Sequence, residues 1–229
     1  MSEQPSPLAA LFDLDGTLVD SMPSIARAMK ETLAEFGYLV STDAIMPLIG
    51  APMESVVTKL TGVAESTANQ IYERYLTVYY DDMIQTTQPF ASAEKLLERL
   101  HDAGIPLAVV TNMSEHGGKL MVKIQGWEKY FNVIVGRDSA ARPKPSPDGV
   151  LHALGAFRVP PQRSAIVGDT EFDMQAGREA LLHYRIGITG SRTVDELSKA
   201  GSTHIIDDLE AVGDILLTGQ HEQGHNRVY

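Results

Sequence analysis

Apolar residues along the chain fall into two alternating patterns. Residues 8–12, 105–110, 133–135 and 164–167 are short apolar runs that stop at polar or glycine residues, so they read as buried strands. Residues 183–188 and the segment 203–206 read as further extended pieces. Between them, apolar positions recur at helical spacing. Residues 21–36 place Ile25, Met29, Leu33 and Phe36 on one face and stop at Gly37. Residues 53–60 and 65–83 give two more helices, and 43–49 a short apolar segment closed by Gly50-Ala51-Pro52. Ser92 opens a helix through Leu96, Leu97 and Leu100 that ends at Gly104. Helices are also predicted over 115–125, up to Leu154, over 171–181 and over 209–217. The 115–125 helix is read despite the weak formers Gly117 and Gly118.

Strand–helix alternation predicts an α/β fold with a doubly wound, mostly parallel, Rossmann-like sheet. Residues 22–85 break the alternation, because only helical patterns occur there. They read as an all-helical insert in a core made of residues 1–21 and 86–229, with 86–89 as a linker.

Composition narrows the field. The chain has 229 residues and no cysteine, which excludes disulfides and thiolate chemistry and suits a reducing, cytoplasmic setting. No apolar stretch approaches the length of a membrane helix, and the first residues lack the pattern of a signal peptide. A net charge of -11 argues against nucleic acid as a partner and requires that any anion site be locally cationic. Monomer and homodimer are both compatible with these features.

The polar residues gather at strand ends. The first strand runs into Asp13 and Asp15, which period-two geometry points the same way; the second ends in Thr111-Asn112 and the fourth in Gly168-Asp169. Lys144 follows the third strand in a proline-rich loop. Parallel sheets bind ligands outside the carboxyl ends of their strands, so these groups are expected to meet at one edge. Hard carboxylate oxygens suit Mg²⁺. The hydroxyl, amide and ammonium suit a phosphate group, and one carboxylate, Asp13, is left to attack phosphorus.

The run Asp13-Leu14-Asp15-Gly16-Thr17 resembles the first motif of the haloacid dehalogenase-like hydrolase superfamily. Thr111-Asn112 resembles its second, Lys144-Pro145-Ser146-Pro147 its third, and Gly168-Asp169-Thr170-Glu171-Phe172-Asp173 its fourth. All four occur in order over residues 8 to 215, and the chain is most similar to the phosphoglycolate phosphatase-like branch. The resemblance implies a phosphatase for a small phosphorylated metabolite, with residues 22–85 as a small helical cap. It implies Asp13 as nucleophile and Asp15 as acid and base, with Thr111, the backbone around Asn112, and Lys144 holding phosphate. It implies Mg²⁺ bound by Asp13, the Asp15 carbonyl and Asp169, with Asp173 nearer the periphery and Glu171 competing for that place. Ile49-Gly50-Ala51-Pro52 resembles the specificity loop of such caps; Arg27, Gly50 and Lys59 are candidate contacts in the cap, of which Arg27 and Lys59 are better read as solvated. Met113 departs from the family, many members of which carry a basic residue there.

Other readings stay open beside it. A phosphomutase would use the same aspartyl phosphate but needs cationic anchors in the insert, and a non-catalytic phosphate-binding protein would keep the fold without turnover. Asp15 argues against a dehalogenase and a phosphonatase. The tyrosines at 72, 75, 79 and 80 read as core of the insert. His221-Glu222-Gln223-Gly224-His225 matches a zinc-protease pattern, but it contains a glycine and lies in a polar tail, so it reads as coincidence.

Overall fold

The structure, a computed structural model, describes residues 9–218. Its first strand, β1 (Ala9–Phe12), lies at the centre of a six-stranded sheet. On one side are β4 (Leu107–Val110) and β5 (Phe131–Val135); on the other are β6 (Ser164–Gly168), β7 (Tyr184–Ile188) and β8 (His204–Ile206). All pairings in this sheet are parallel, in the order β5-β4-β1-β6-β7-β8.

Period-two alternation divides the sheet into two faces. Ala10, Phe12, Leu107, Val109, Ala165 and Val167 join one apolar cluster; Ala9, Leu11, Ala108, Val110 and Ile166 join another. Both faces of the central strands are buried, which is why their sequence is apolar without a break. The second cluster is closed by α7 (Asp148–Phe157) and α8 (Glu171–Glu179), through Val150, Ala153, Leu154 and Ala176. The first is closed by α5 (Ala93–Asp102), α6 (Glu115–Ile124) and α10 (Glu210–Thr218). Each fully buried Leu or Phe in these layers contributes on the order of 1.5–3 kcal/mol.

The first cluster continues into the helical insert without interruption, taking in Ile25, Met29, Leu33, Ile71 and Tyr75. The insert consists of α1 (Met22–Glu35), α2 (Thr42–Ile45), α3 (Met53–Thr61) and α4 (Glu65–Val78). Helix α4 passes into a π-helical turn, Tyr79–Met83, and a 3₁₀ turn, Ile84–Thr86. The chain leaves the core through β2 (Val19–Asp20) and returns through β3 (Gln88–Pro89), which pair antiparallel.

Several local expectations change. Residues 88–89, expected as linker, form this strand pair; Pro89 fits because the ribbon has only two strands and needs no second ladder. The segment 43–49 is a helical turn capped by Ser41, whose hydroxyl accepts from the Ala44 N–H, followed by a 3₁₀ turn. Helix α9 (Val194–Ala200) was not expected; Thr193 and Glu196 form a capping box that starts it. The fifth strand begins at Phe131, because Phe131 pairs with Leu107 across a register shift. No helix is long and apolar enough to cross a membrane among the described residues. The histidine pair at 221 and 225 lies outside them.

Candidate active site

The sheet delivers the expected polar residues to one edge. β1 ends at Phe12, and the Asp13 N–H donates to the Val167 carbonyl (3.0 Å), tying the first acid to β6. The Asp13 Oδ1 accepts from the Leu14 N–H (2.8 Å), and Leu14 is buried in the core beneath. The chain then turns at Gly16, so Asp15 lies past the strand yet lines the same cavity as Asp13. The Asp15 Oδ1 is buried and makes no hydrogen bond.

Lys144 enters from the loop before α7. Its ammonium, 3% exposed, lies 3.0 Å from Asp13 Oδ2 and 2.6 Å from Asp173 Oδ1. The second Asp173 oxygen accepts from the Thr170 N–H (3.1 Å) and hydroxyl (2.6 Å), a capping box that starts α8. Asp169 accepts from the Thr17 hydroxyl through Oδ1 (2.9 Å), while its Oδ2 is buried with no hydrogen-bond partner.

Burial decides the electrostatics. It pushes the Asp13 carboxyl well above the usual range, Lys144 pulls it back, and Asp173, Asp169 and Asp15 push it up again. Asp15 is raised first by burial, against Ser21 and Lys144. Asp169 rises to about 7, from burial and then from Asp173, against the Ser191 and Thr17 hydroxyls. Burial alone would lower Lys144, but Asp13 and Asp173 outweigh it and hold the ammonium charged.

One ammonium does not balance these acids. Oxygens of Asp13, Asp169 and Asp173 all lie within 4.8 Å of one another. The unpartnered Asp169 Oδ2 and the all-oxygen donor set fit a hard divalent cation. Gly16 leaves the room for this: a Cβ there would stand 2.3 Å from Asp169 Oδ2, and its φ of +77° is a glycine conformation. Gly16→Ala is expected to cost roughly 1–3 kcal/mol. Thermal melting checks this, and an unchanged melt would mean that Asp169 yields freely.

Thr111 and Asn112 end β4. Thr111 is buried on the cavity wall, its hydroxyl oxygen accepting from the Met113 N–H (3.1 Å). The Asn112 amide is spent on backbone: Nδ2 donates to the Gly50 carbonyl (2.9 Å) and the Lys144 carbonyl (3.1 Å), and Oδ1 accepts from the Lys144 N–H (2.9 Å). Glu171 does not join the carboxylates; it is paired with Arg192 (2.6 Å).

The cavity above the acids is small, about 50 Å³. On the insert side it is lined by Gly50 and by Tyr72, Tyr75, Tyr79 and Tyr80, with Met113 on the core side. The tyrosine rings follow one another at 6.1, 5.7 and 5.6 Å between centroids, so they are both insert core and cavity wall. Burial raises the Tyr72 hydroxyl to about 12, and Tyr75 and Tyr79 well above their usual range, so these walls stay uncharged. Arg27 and Lys59 do not reach the cavity. Arg27 rests on the Met83 sulfur (2.7 Å), and Lys59 borders an outer groove. The cavity's cation, Arg137, was not singled out in the sequence. Its signal was its place, two residues beyond the end of a strand at the ligand-binding edge.

A family model described as haloacid dehalogenase-like hydrolase matches residues 10–185. The chain is 35% identical over 171 residues to a phosphoglycolate phosphatase of Aquifex aeolicus, covering 74% of this chain and 79% of that one. It is 30% identical over 218 residues to a phosphoglycolate phosphatase of Agrobacterium fabrum, covering 93% of each. A solved haloacid dehalogenase-like family hydrolase from Streptococcus pneumoniae superposes with a TM-score of 0.81 at 28% identity, covering 91% of this chain and 98% of that one. The chain belongs to the haloacid dehalogenase-like hydrolases, in their phosphoglycolate phosphatase-like branch. It is accordingly an enzyme, a phosphoric monoester hydrolase.

Proposed function

We propose that the chain hydrolyses a small phosphate ester through a phosphoaspartate at Asp13, with phosphoglycolate, the substrate its relatives are named for, as the first ester to test. The observation that carries this reading is Lys144, buried between Asp13 and Asp173 beside the unpartnered Asp169 Oδ2. In the first step an Asp13 oxygen bonds to phosphorus as the ester P–O bond breaks, and Asp15 gives its proton to the departing oxygen. Burial supports that role, because it favours the protonated form of Asp15. In the second step Asp15, now a carboxylate, takes a proton from water; the water oxygen bonds to phosphorus and the bond to Asp13 breaks, releasing phosphate.

Thr111 and Lys144 offer donors to the phosphoryl oxygens. Mg²⁺ would be held by Asp13, Asp169, Asp173 and the Asp15 carbonyl, and would supply positive charge against the transferring phosphoryl group. The helical insert, residues 22–85, acts as a cap on the core of residues 1–21 and 86–229. Its tyrosines exclude water during the reaction. A cavity of about 50 Å³ has room for a few water-sized groups, which favours a short leaving group.

The test is phosphate release from a panel of esters with Mg²⁺ and with chelator. Release that depends on Mg²⁺ is expected. A folded protein that releases nothing from any ester in the presence of metal would sink the reading. The phosphomutase alternative needs a second phosphate anchor and room for a second phosphate, and the cavity of about 50 Å³ favours a single one.

A further inference from the structure

Arg137 has no part in the chemistry above, yet it is firmly built in. Its N–H donates to the Met113 carbonyl (2.8 Å), so the core holds its base. Its guanidinium reaches across to the insert. Nη1 donates to Glu54 Oε2 (2.7 Å) and Nη2 to Glu54 Oε1 (2.6 Å), while the group lies 5.0 Å from the Tyr72 ring centroid. Apart from Lys144, which is held between Asp13 and Asp173, Arg137 is the only cation among the described residues at the catalytic cavity. Together with Glu54 it also lines an open groove of about 600 Å³ on the outer side. The ion pair is therefore part of the partition between the cavity and solvent.

We infer that Arg137 holds an anionic group on the leaving-group side of the substrate, and that the Glu54 carboxylate takes that place when substrate is absent. The inference rests on the phosphatase reading. A guanidinium fork bonds any carboxylate in the same two-pronged geometry, so a substrate carboxylate can replace Glu54 with little change in hydrogen bonding. Glu54 borders the groove, where water can receive it once displaced. The rest of the leaving-group wall consists of uncharged tyrosines and apolar side chains, against which an unmatched anion would be desolvated. A neutral leaving group has nothing to offer Arg137. In a chain of net charge -11, an acid-bearing ester depends on a local cation such as this one.

The test compares 2-phosphoglycolate with 2-hydroxyethyl phosphate, esters of similar size that differ in the carboxylate. In the unaltered protein kcat/KM should favour the carboxylate ester. Arg137→Ala should lower the ratio of the two kcat/KM values by roughly 10- to 100-fold, the range for a hydrogen bond to a charged group. Arg137→Lys should restore part of it. Glu54→Gln should raise the ratio, because a neutral amide competes less well for the guanidinium. Thermal melts establish that each variant is folded. If Arg137 only latches the insert shut, both esters lose equally and the ratio stays put; that result overturns the inference, as does an unaltered protein that shows no preference. Should the unaltered protein release phosphate from no ester of the panel, these two included, the phosphatase reading fails by itself. Calorimetric binding of both esters to the same variants then decides on Arg137, and Arg137→Ala binding the two as the unaltered protein does would overturn it.

Discussion

Asp13→Asn is expected to abolish turnover while leaving the fold as it is. The amide oxygen can still accept from the Leu14 N–H, so the turn after β1 keeps its anchor. The substitution also removes one of several crowded acids, which relieves a burial cost that is poorly balanced by a single ammonium. The melting temperature should therefore not fall. A neutral amide is not a nucleophile towards phosphorus, and loss of a covalent nucleophile is expected to lower kcat by about 10⁴-fold or more. Single-turnover assays with phosphate detection would measure this, alongside thermal melts. Activity near the original level would assign the attack to another group.

Lys144→Met should have the largest effect on stability. The ammonium is 3% exposed and is held by two carboxylates at 3.0 and 2.6 Å. Removing it strands Asp13 and Asp173 in a buried site, and breaking a buried pair in this way costs about 3–5 kcal/mol. For a chain of this size that is a fall in melting temperature of roughly 10 °C. The loss should grow with pH. Without Lys144 the native Asp13 carboxyl, already pushed up by burial, binds its proton to higher pH than in the unfolded chain, where it ionises near its ordinary pKa. A raised native pKa gives stability that is present below the unfolded value and lost as pH rises through the native one. The gap between the two proteins should thus widen as pH rises above the ordinary carboxylate range and through the raised Asp13 value. Combining Lys144→Met with Asp13→Asn should recover part of the loss, since one stranded charge is gone. A Lys144→Met protein as stable as the unaltered one at all pH values would mean that the buried acids do not depend on the lysine.

Much of the core could be read along the chain because both faces of its sheet are covered. β1 and β4 therefore had to be apolar at every position, and β6 after Ser164 had to carry no polar side chain; they end abruptly in Asp13, Thr111 and Asp169. The helix α9 was also written in local code, in the Thr193 and Glu196 capping box, and went unread. Other features have no local code. Gly117 looks like a poor choice inside α6; a Cβ there would stand 2.1 Å from the Tyr80 hydroxyl, which belongs to the insert and bonds Ser114 at 3.0 Å. The double life of the tyrosines could not be read either, because helical spacing marks a buried face without saying whether that face meets a solid core or a cavity. Arg137 was hidden for the same reason, since its partner Glu54 is 83 residues away.

The Asn112 amide carries a further consequence. Two of its three hydrogen bonds hold the backbone of Lys144, and both partners belong to the core. The third is to the Gly50 carbonyl on the insert. If the insert lifts, only that last bond is given up, and the lysine keeps its clamp. Under the proposed mechanism the permanent and the reversible contacts are thus divided within one side chain: the charge that would receive phosphate stays set between turnovers, and of the Asn112 hydrogen bonds each closure would re-engage one.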